Sequence, residues 1–219
     1  MPSTPPRPQP ARQLTDTGVL PILRSARAEH VPAVAEALVQ AGMTCLEVTL
    51  TVPGALRLLP ALTAALPEHV ALGVGTVTTR AEAEGAAAAG AAFLVCPAVC
   101  PDVLAFATSH GLPCYPGAWT PTEVLSGWQA GATAVKLFPA ATGGPAHLRR
   151  IRDPLPHIPL LPTGGVAIDQ VSHYLAAGAI AVGMGSPLLG DALEGGSLTA
   201  LADRSRQVLD EVARGRDRR

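Results

Sequence analysis

The chain has 219 residues, 48% hydrophobic, 15% charged and 3% aromatic, with 22 Gly and 22 Pro: one domain or at most two small ones, able to build a core without metals or disulfides. That core is aliphatic, because three Phe, two Tyr and two Trp are all the aromatic residues there are. A net charge of −1, with the arginines scattered outside a short C-terminal run, excludes a nucleic-acid surface, and no apolar stretch nears the roughly 18 residues of a membrane-spanning helix.

Residues 1–13 are Pro-rich and polar and lack a hydrophobic signal segment, so they read as a disordered N-terminal tail on a cytoplasmic protein. From residue 14 to 213 a short apolar run, a Gly, Pro or Thr break and an Ala/Leu-rich amphipathic stretch recur about every 20 to 27 residues, as alternating parallel strands and helices require. The eight runs are 18–23, 45–50, 71–76, 93–96, 112–115, 134–138, 158–161 and 179–183. Helices are predicted over 29–41, 53–65, 80–89, 121–130 and 168–177, and four of them end in an Ala-Gly pair (Ala41-Gly42, Ala89-Gly90, Ala130-Gly131, Ala177-Gly178) suited to a left-handed cap. Residues 214–219 are charged and aperiodic and read as a frayed C-terminal tail. Eight strand-helix periods predict a single-domain α/β protein, a (β/α)8 TIM barrel with its site at the C-terminal strand ends. The alternative, an open doubly wound sheet, lacks its glycine-rich fingerprint after the first strand.

Cys45, Cys96, Cys100 and Cys114 are too sparse for a disulfide framework, and the Cys96–Cys100 pair lacks the second ligand pair of a zinc site, so buried small hydrophobes are expected. His30, His69, His110, His147, His157 and His173 are dispersed and read as surface residues; no metal site is predicted.

The only lysine is Lys136, inside the apolar run Ala134-Val135-Lys136-Leu137-Phe138-Pro139, while the other 15 of the 16 basic residues are Arg. Arginine cannot lose its proton, whereas a desolvated lysine can supply a neutral amine that condenses with a carbonyl substrate. The structural alternative is a lysine that snorkels to solvent or pairs with a carboxylate. Glu47 intrudes in the same way in Cys45-Leu46-Glu47-Val48-Thr49-Leu50. Period-two alternation puts Cys45, Glu47 and Thr49 on one face and Leu46, Val48 and Leu50 on the helix-packed face, and likewise turns Ala134, Lys136 and Phe138 inward. One cavity can then hold both charges, either as a structural ion pair or as an imine-forming amine with a proton shuttle. Thr163-Gly164-Gly165 and Gly183-Met184-Gly185-Ser186 follow the last two strands, where such barrels hold phosphate. Thr76 ends the third strand and suits either a substrate carboxylate or a helix N-cap.

With these residues in view, the sequence closely resembles the 2-keto-3-deoxy-6-phosphogluconate (KDPG) aldolase / 4-hydroxy-2-oxoglutarate (KHG) aldolase family from about Val19 to Ala213. The motifs that carry the likeness are Leu46-Glu47-Val48-Thr49-Leu50, Gly73-Val74-Gly75-Thr76-Val77, Val135-Lys136-Leu137-Phe138-Pro139-Ala140, Pro162-Thr163-Gly164-Gly165-Val166 and Gly185-Ser186. The resemblance implies a class I, metal-free lyase of the Entner-Doudoroff pathway that cleaves a phosphorylated keto acid to pyruvate and D-glyceraldehyde 3-phosphate. It implies a Schiff base on Lys136, acid/base work by Glu47, carboxylate binding by Thr76, a pocket lined by Pro97, Phe138 and Thr163, and a phosphate loop of Gly164, Gly165, Gly185 and Ser186. It also implies a homotrimer, no further cofactor, and neither nucleic-acid nor membrane partners. One departure is Thr51, where many gluconate-type members carry an Arg that helps hold the substrate carboxylate; galactonate-type relatives tend to be uncharged there. Arg24, at the end of the first strand, is either a substitute cation or a plain strand-end charge. Gluconate, galactonate and hydroxy-oxoglutarate substrates all stay open. Two other functional readings use the same phosphate turns: a phosphosugar isomerase or synthase, and a non-catalytic barrel that binds a phosphorylated metabolite.

Overall fold

The computed structural model describes residues 7–218. In chain order it runs α1 (Arg12–Thr17), β1 (Val19–Leu23), α2 (Val31–Gln40), β2 (Cys45–Thr49), α3 (Ala55–Ala65), β3 (Ala71–Gly75), α4 (Arg80–Ala88), β4 (Leu94–Val95), α5 (Pro101–Ser109), β5 (Cys114–Tyr115), β6 (Gly117–Ala118) and α6 (Pro121–Gln129). It continues with β7 (Val135–Leu137), α7 (Gly144–Arg152), β8 (Leu160–Pro162), α8 (Val171–Ala176), β9 (Val182–Met184), α9 (Ser186–Leu189) and α10 (Leu198–Asp217).

Local chemistry sets the helix ends. Thr79 with Glu82 and Thr120 with Glu123 form reciprocal capping boxes that start α4 and α6. At the other end Gly42, Gly90, Gly131 and Gly178 take positive φ. The residue after each returns its N–H to the helix: Met43 to Leu38, Ala91 to Ala86, Ala132 to Gly127 and Ala179 to Tyr174. This is the Schellman closure expected from the four Ala-Gly pairs.

All pairings are parallel, but the strands do not join in one eight-stranded sheet. A six-stranded curled sheet runs β5-β4-β3-β2-β1-β9, and a second runs β6-β7-β8. The fifth strand, expected over 112–115, ends at Tyr115, and Pro116, which has no N–H for the ladder, separates it from a further strand that the sequence reading did not list, so β5 pairs with β4 and β6 with β7. Between β8 and β9 no ladder forms, but an isolated Thr163–Gly183 bridge and the Ile180 N–H donated to the Leu160 carbonyl link the two segments; a Cβ on Gly183 would overlap the Thr163 side chain.

Two layers of core follow from strand alternation. Leu46, Val48, Val135 and Leu137 pack with the helices, whereas Leu20, Cys45, Ala71, Phe93, Val95, Tyr115, Ala134, Leu161 and Ala181 form a separate inner cluster. Gly73 leaves the room that the Phe93 ring fills, and Phe93 and Tyr115 pack tilted at 5.6 Å. Cys45, Cys96 and Cys114 are buried as expected, and Cys100 is half-buried.

The chain ends are more ordered than their composition predicts. Of the tail assigned to 1–13, residues 1–6 lie outside the described residues. Arg7 stacks on Trp128 at 3.6 Å and donates to the Trp128 and Ala132 carbonyls at the end of α6. The Ala11 N–H donates to the Tyr115 hydroxyl at 3.1 Å, and Leu14 of α1 enters the inner cluster. At the other end α10 continues past 213 to Asp217 because Val212 and Gly215 are buried, Gly215 against the Ser172 backbone; Arg219 lies outside the described residues. No helix among the described residues is long and apolar enough to cross a membrane.

Leu14 is fully buried and contributes the apolar contact by which α1 joins the inner cluster. Leu14→Ala is expected to cost about 3 kcal/mol, a fall of roughly 6–12 °C in Tm at this chain length. Thermal unfolding followed by circular dichroism measures it, and an unchanged Tm removes α1 from the core.

Candidate active site

Lys136 occupies the middle of β7, in register with Gly117 on one side and Leu161 on the other. Its neighbours Val135 and Leu137 face the helices, so the lysine points inward and is only 3% exposed. Its Nζ lies 5.0 Å from the centre of the Phe138 ring. Glu47, in the middle of β2, is 0% exposed, and neither carboxylate oxygen has a hydrogen-bond partner. Gly75 on the adjacent strand makes this possible, since a Cβ there would overlap Glu47 Oε1.

The two charges face one interior but do not touch. No salt bridge joins them among the described residues, which corrects the ion-pair alternative. Burial pushes the Glu47 carboxyl above the ordinary carboxylate range, while the positive charges of Lys136 and, less strongly, Arg24 pull it back. A buried carboxylate without partners is a large desolvation cost that folding alone does not call for, and such perturbed groups cluster where chemistry is done.

Above them opens a cavity of about 1100 Å³ lined by Arg24, Thr51, Lys136, Phe138, Thr163, Gly164, Gly165, Gly185 and Ser186, together with Ile22, Ser25, Arg27 and Glu194. Nine of the twelve residues expected at the site therefore line one space. Glu47 lies buried and does not line it. Thr76 and Pro97 do not line it either, though both follow strand ends. Thr76 is the one non-glycine residue with positive φ (64°) among the described residues, a strained setting for a β-branched side chain. The N-cap alternative for Thr76 is not taken, since Thr79 caps α4. Pro97 packs its carbonyl where Gly117 lacks a Cβ, next to Lys136 in register.

The two glycine turns meet on one side of this cavity. Gly164 and Gly165 take φ of +93° and +74°, and a Cβ on Gly164 would press on the Phe138 ring at 2.9 Å. Gly185 precedes the single turn of α9. The N–H groups of Gly164, Gly165 and Ser186 donate to no protein acceptor among the described residues, a set of donors suited to an anion. Arg27 and Glu194 escaped the sequence reading. The Arg24-Ser25-Ala26-Arg27 spacing was a signal for the first, whereas Glu194 reaches the rim from an aperiodic turn. None of the six histidines lines the cavity, and among the described residues no group of three or more His, Cys, Asp or Glu could hold a metal ion.

The family model described as KDPG and KHG aldolase matches residues 11–202. A probable 2-dehydro-3-deoxy-6-phosphogalactonate aldolase from Rhizobium meliloti (strain 1021) is 33% identical over 198 residues, 90% of this chain and 93% of that protein. The KHG/KDPG aldolase of Escherichia coli (strain K12) is 33% identical over 199 residues, again 90% of this chain and 93% of the relative. The solved KDPG aldolase of Legionella pneumophila, with pyruvate captured at low pH as a covalent carbinolamine intermediate, is similar with a TM-score of 0.81 and 29% identity, covering 91% of this chain and 98% of that one.

The carboxyl of Glu47 sets a pH signature. Its pKa is raised on folding, so the native state keeps the proton that the unfolded chain gives up. Stability is greatest below the ordinary carboxylate range and falls as pH climbs through and above it. Glu47→Gln removes this loss: relative to the parent its Tm is expected to rise as pH climbs from the ordinary carboxylate range to above neutrality. Parallel Tm-against-pH curves contradict the burial of an unpartnered carboxylate.

Proposed function

The chain belongs to the KDPG and KHG aldolase family, and from that premise we propose that Lys136 and Glu47 perform Schiff-base cleavage of a phosphorylated 2-keto-3-deoxy acid. The chain is an aldolase, a lyase, which sets aside the isomerase and binding-only readings. The observation that carries the assignment of roles is that the one lysine of the chain lines a large cavity, while the interior it faces also buries a carboxylate that has no hydrogen bond and feels the lysine's charge.

The chemistry follows from these two groups. The Lys136 Nζ lone pair attacks the C2 ketone, and loss of water from the carbinolamine gives an iminium that can accept an electron pair. The Glu47 carboxylate, directly or through one water, takes the C4 hydroxyl proton. The C3–C4 bond breaks, its electrons enter the enamine on Lys136, and C4 leaves as the aldehyde. Glu47 returns the proton to C3, and water hydrolyses the iminium to release pyruvate and restore the amine. The N–H groups of Gly164, Gly165 and Ser186, with Gly185 giving the turn, hold the phosphate, and Arg24 adds positive charge at the rim. Thr76 binds the pyruvate carboxylate, and Pro97, Phe138 and Thr163 shape the wall. No metal or further cofactor enters these steps.

The wider reading has its own support. β5 and β6 are separated by Pro116 alone, Ile180 donates to the Leu160 carbonyl at 3.0 Å and the Thr163–Gly183 bridge links the two sheets; these favour one closed (β/α)8 barrel of eight strands. Four free thiols suit a cytoplasmic enzyme of the Entner-Doudoroff pathway, and the family resemblance favours a homotrimer.

Borohydride reduction in the presence of pyruvate is expected to leave a stable mass adduct on Lys136, and Lys136→Ala to abolish both adduct and cleavage. Active protein that forms no adduct overturns the mechanism. Cleavage rates on the gluconate and galactonate epimers and on 4-hydroxy-2-oxoglutarate identify the preferred substrate.

A further inference from the structure

The hydroxyls at the end of β2 have a direction. Thr49 is fully buried. Its Oγ1 lies 3.2 Å from the Leu23 carbonyl oxygen and 2.7 Å from Oγ1 of Thr51, which lines the cavity. A carbonyl only accepts, and each threonine has one hydroxyl proton. Both bonds form only if Thr49 donates to Leu23 and Thr51 donates to Thr49. In the reverse arrangement two buried oxygens face each other at 3.2 Å with no proton between them, which burial penalises. The proton of Thr51 is thus used inward, and the group turned to the cavity is a lone pair.

We infer that Thr51 is a specificity-determining acceptor that reads a substrate hydroxyl, and that Thr49 is the positioning residue that sets its polarity; this rests on the aldolase reading above. A carboxylate has only lone pairs to offer, so Thr51 does not take over the carboxylate from the cation expected at its position. Hydroxyl donors exist only in the half of the substrate that leaves as aldehyde, because the pyruvate half carries a ketone and a carboxylate. Glu47 serves the hydroxyl at the breaking bond, which leaves to Thr51 the neighbouring hydroxyl, next to the aldehyde carbon of the product.

The test runs the reaction as condensation of pyruvate with D-glyceraldehyde 3-phosphate or with 3-oxopropyl phosphate, which lacks that hydroxyl. The parent is expected to prefer the hydroxylated aldehyde, and Thr51→Val to lower that preference in kcat/KM by roughly tenfold, the scale of one neutral hydrogen bond, with the change in the aldehyde KM exceeding that in the pyruvate KM. Thr51→Ser keeps the preference. Thr49→Val frees the Thr51 proton and lowers the preference as well. A Thr51→Val enzyme with the parent's preference overturns the proposal, as does one whose pyruvate KM rises instead. Borohydride trapping on the parent separates the two levels: an adduct with unaltered preference retires the hydroxyl reading alone, and no adduct retires the aldolase reading with it.

Discussion

The site depends on keeping the Glu47 carboxylate out of water without giving it a partner. Desolvation raises its pKa, and the charge of Lys136 opposes that shift across a gap rather than through a hydrogen bond. A direct ion pair would satisfy both groups and tie up both of them. In the proposed mechanism, separation keeps the amine accessible from the cavity and leaves the carboxyl free to exchange a proton. The stability lost by burying this group is offset by the largely apolar core around it, packed in two layers.

Small residues on the strands create the space for this arrangement. Gly75 leaves room for Glu47, Gly73 for Phe93, Gly117 for the Pro97 carbonyl and Gly183 for Thr163. Each is a close approach that a single methyl would block, so adding a Cβ at any of them displaces a neighbour. The same logic operates in the turn after β8, where left-handed backbone at Gly164 and Gly165 turns N–H groups away from the sheet ladder. Donors thus gather on one side of the cavity, at the turns after β8 and β9 and at Arg24, while the hydroxyl at the end of β2 presents an acceptor. On the proposed reading, that polarity sets the phosphate of the substrate apart from the hydroxyl next to the aldehyde carbon.

Much of the architecture was legible because it is encoded within a few residues. Period-two alternation turned Glu47 and Lys136 inward, the Ala-Gly pairs ended four helices, and the two glycine turns after late strands fall on the cavity lining; the structure brings nine of the twelve expected residues around one cavity. Composition misjudged the ends, because Arg7, Ala11 and Gly215, in the stretches read as tails, find their partners only in the folded chain. Thr76 was ambiguous because its hydroxyl suits either role; the cap itself is local, since three residues on Thr79 has a glutamate at the right spacing and takes it.

The sequence by itself determined which faces of the strands are apolar, where helices stop, and that one lysine and one glutamate interrupt the inward face, since these follow from spacing and residue chemistry. Tertiary structure alone decided that β5 and β6, on either side of Pro116, join different sheets, that Glu47 and Lys136 stand apart, and that Thr51 passes its proton to Thr49. Strand neighbours, gaps and hydrogen-bond direction are set by how distant segments close on one another, and no local pattern records those distances.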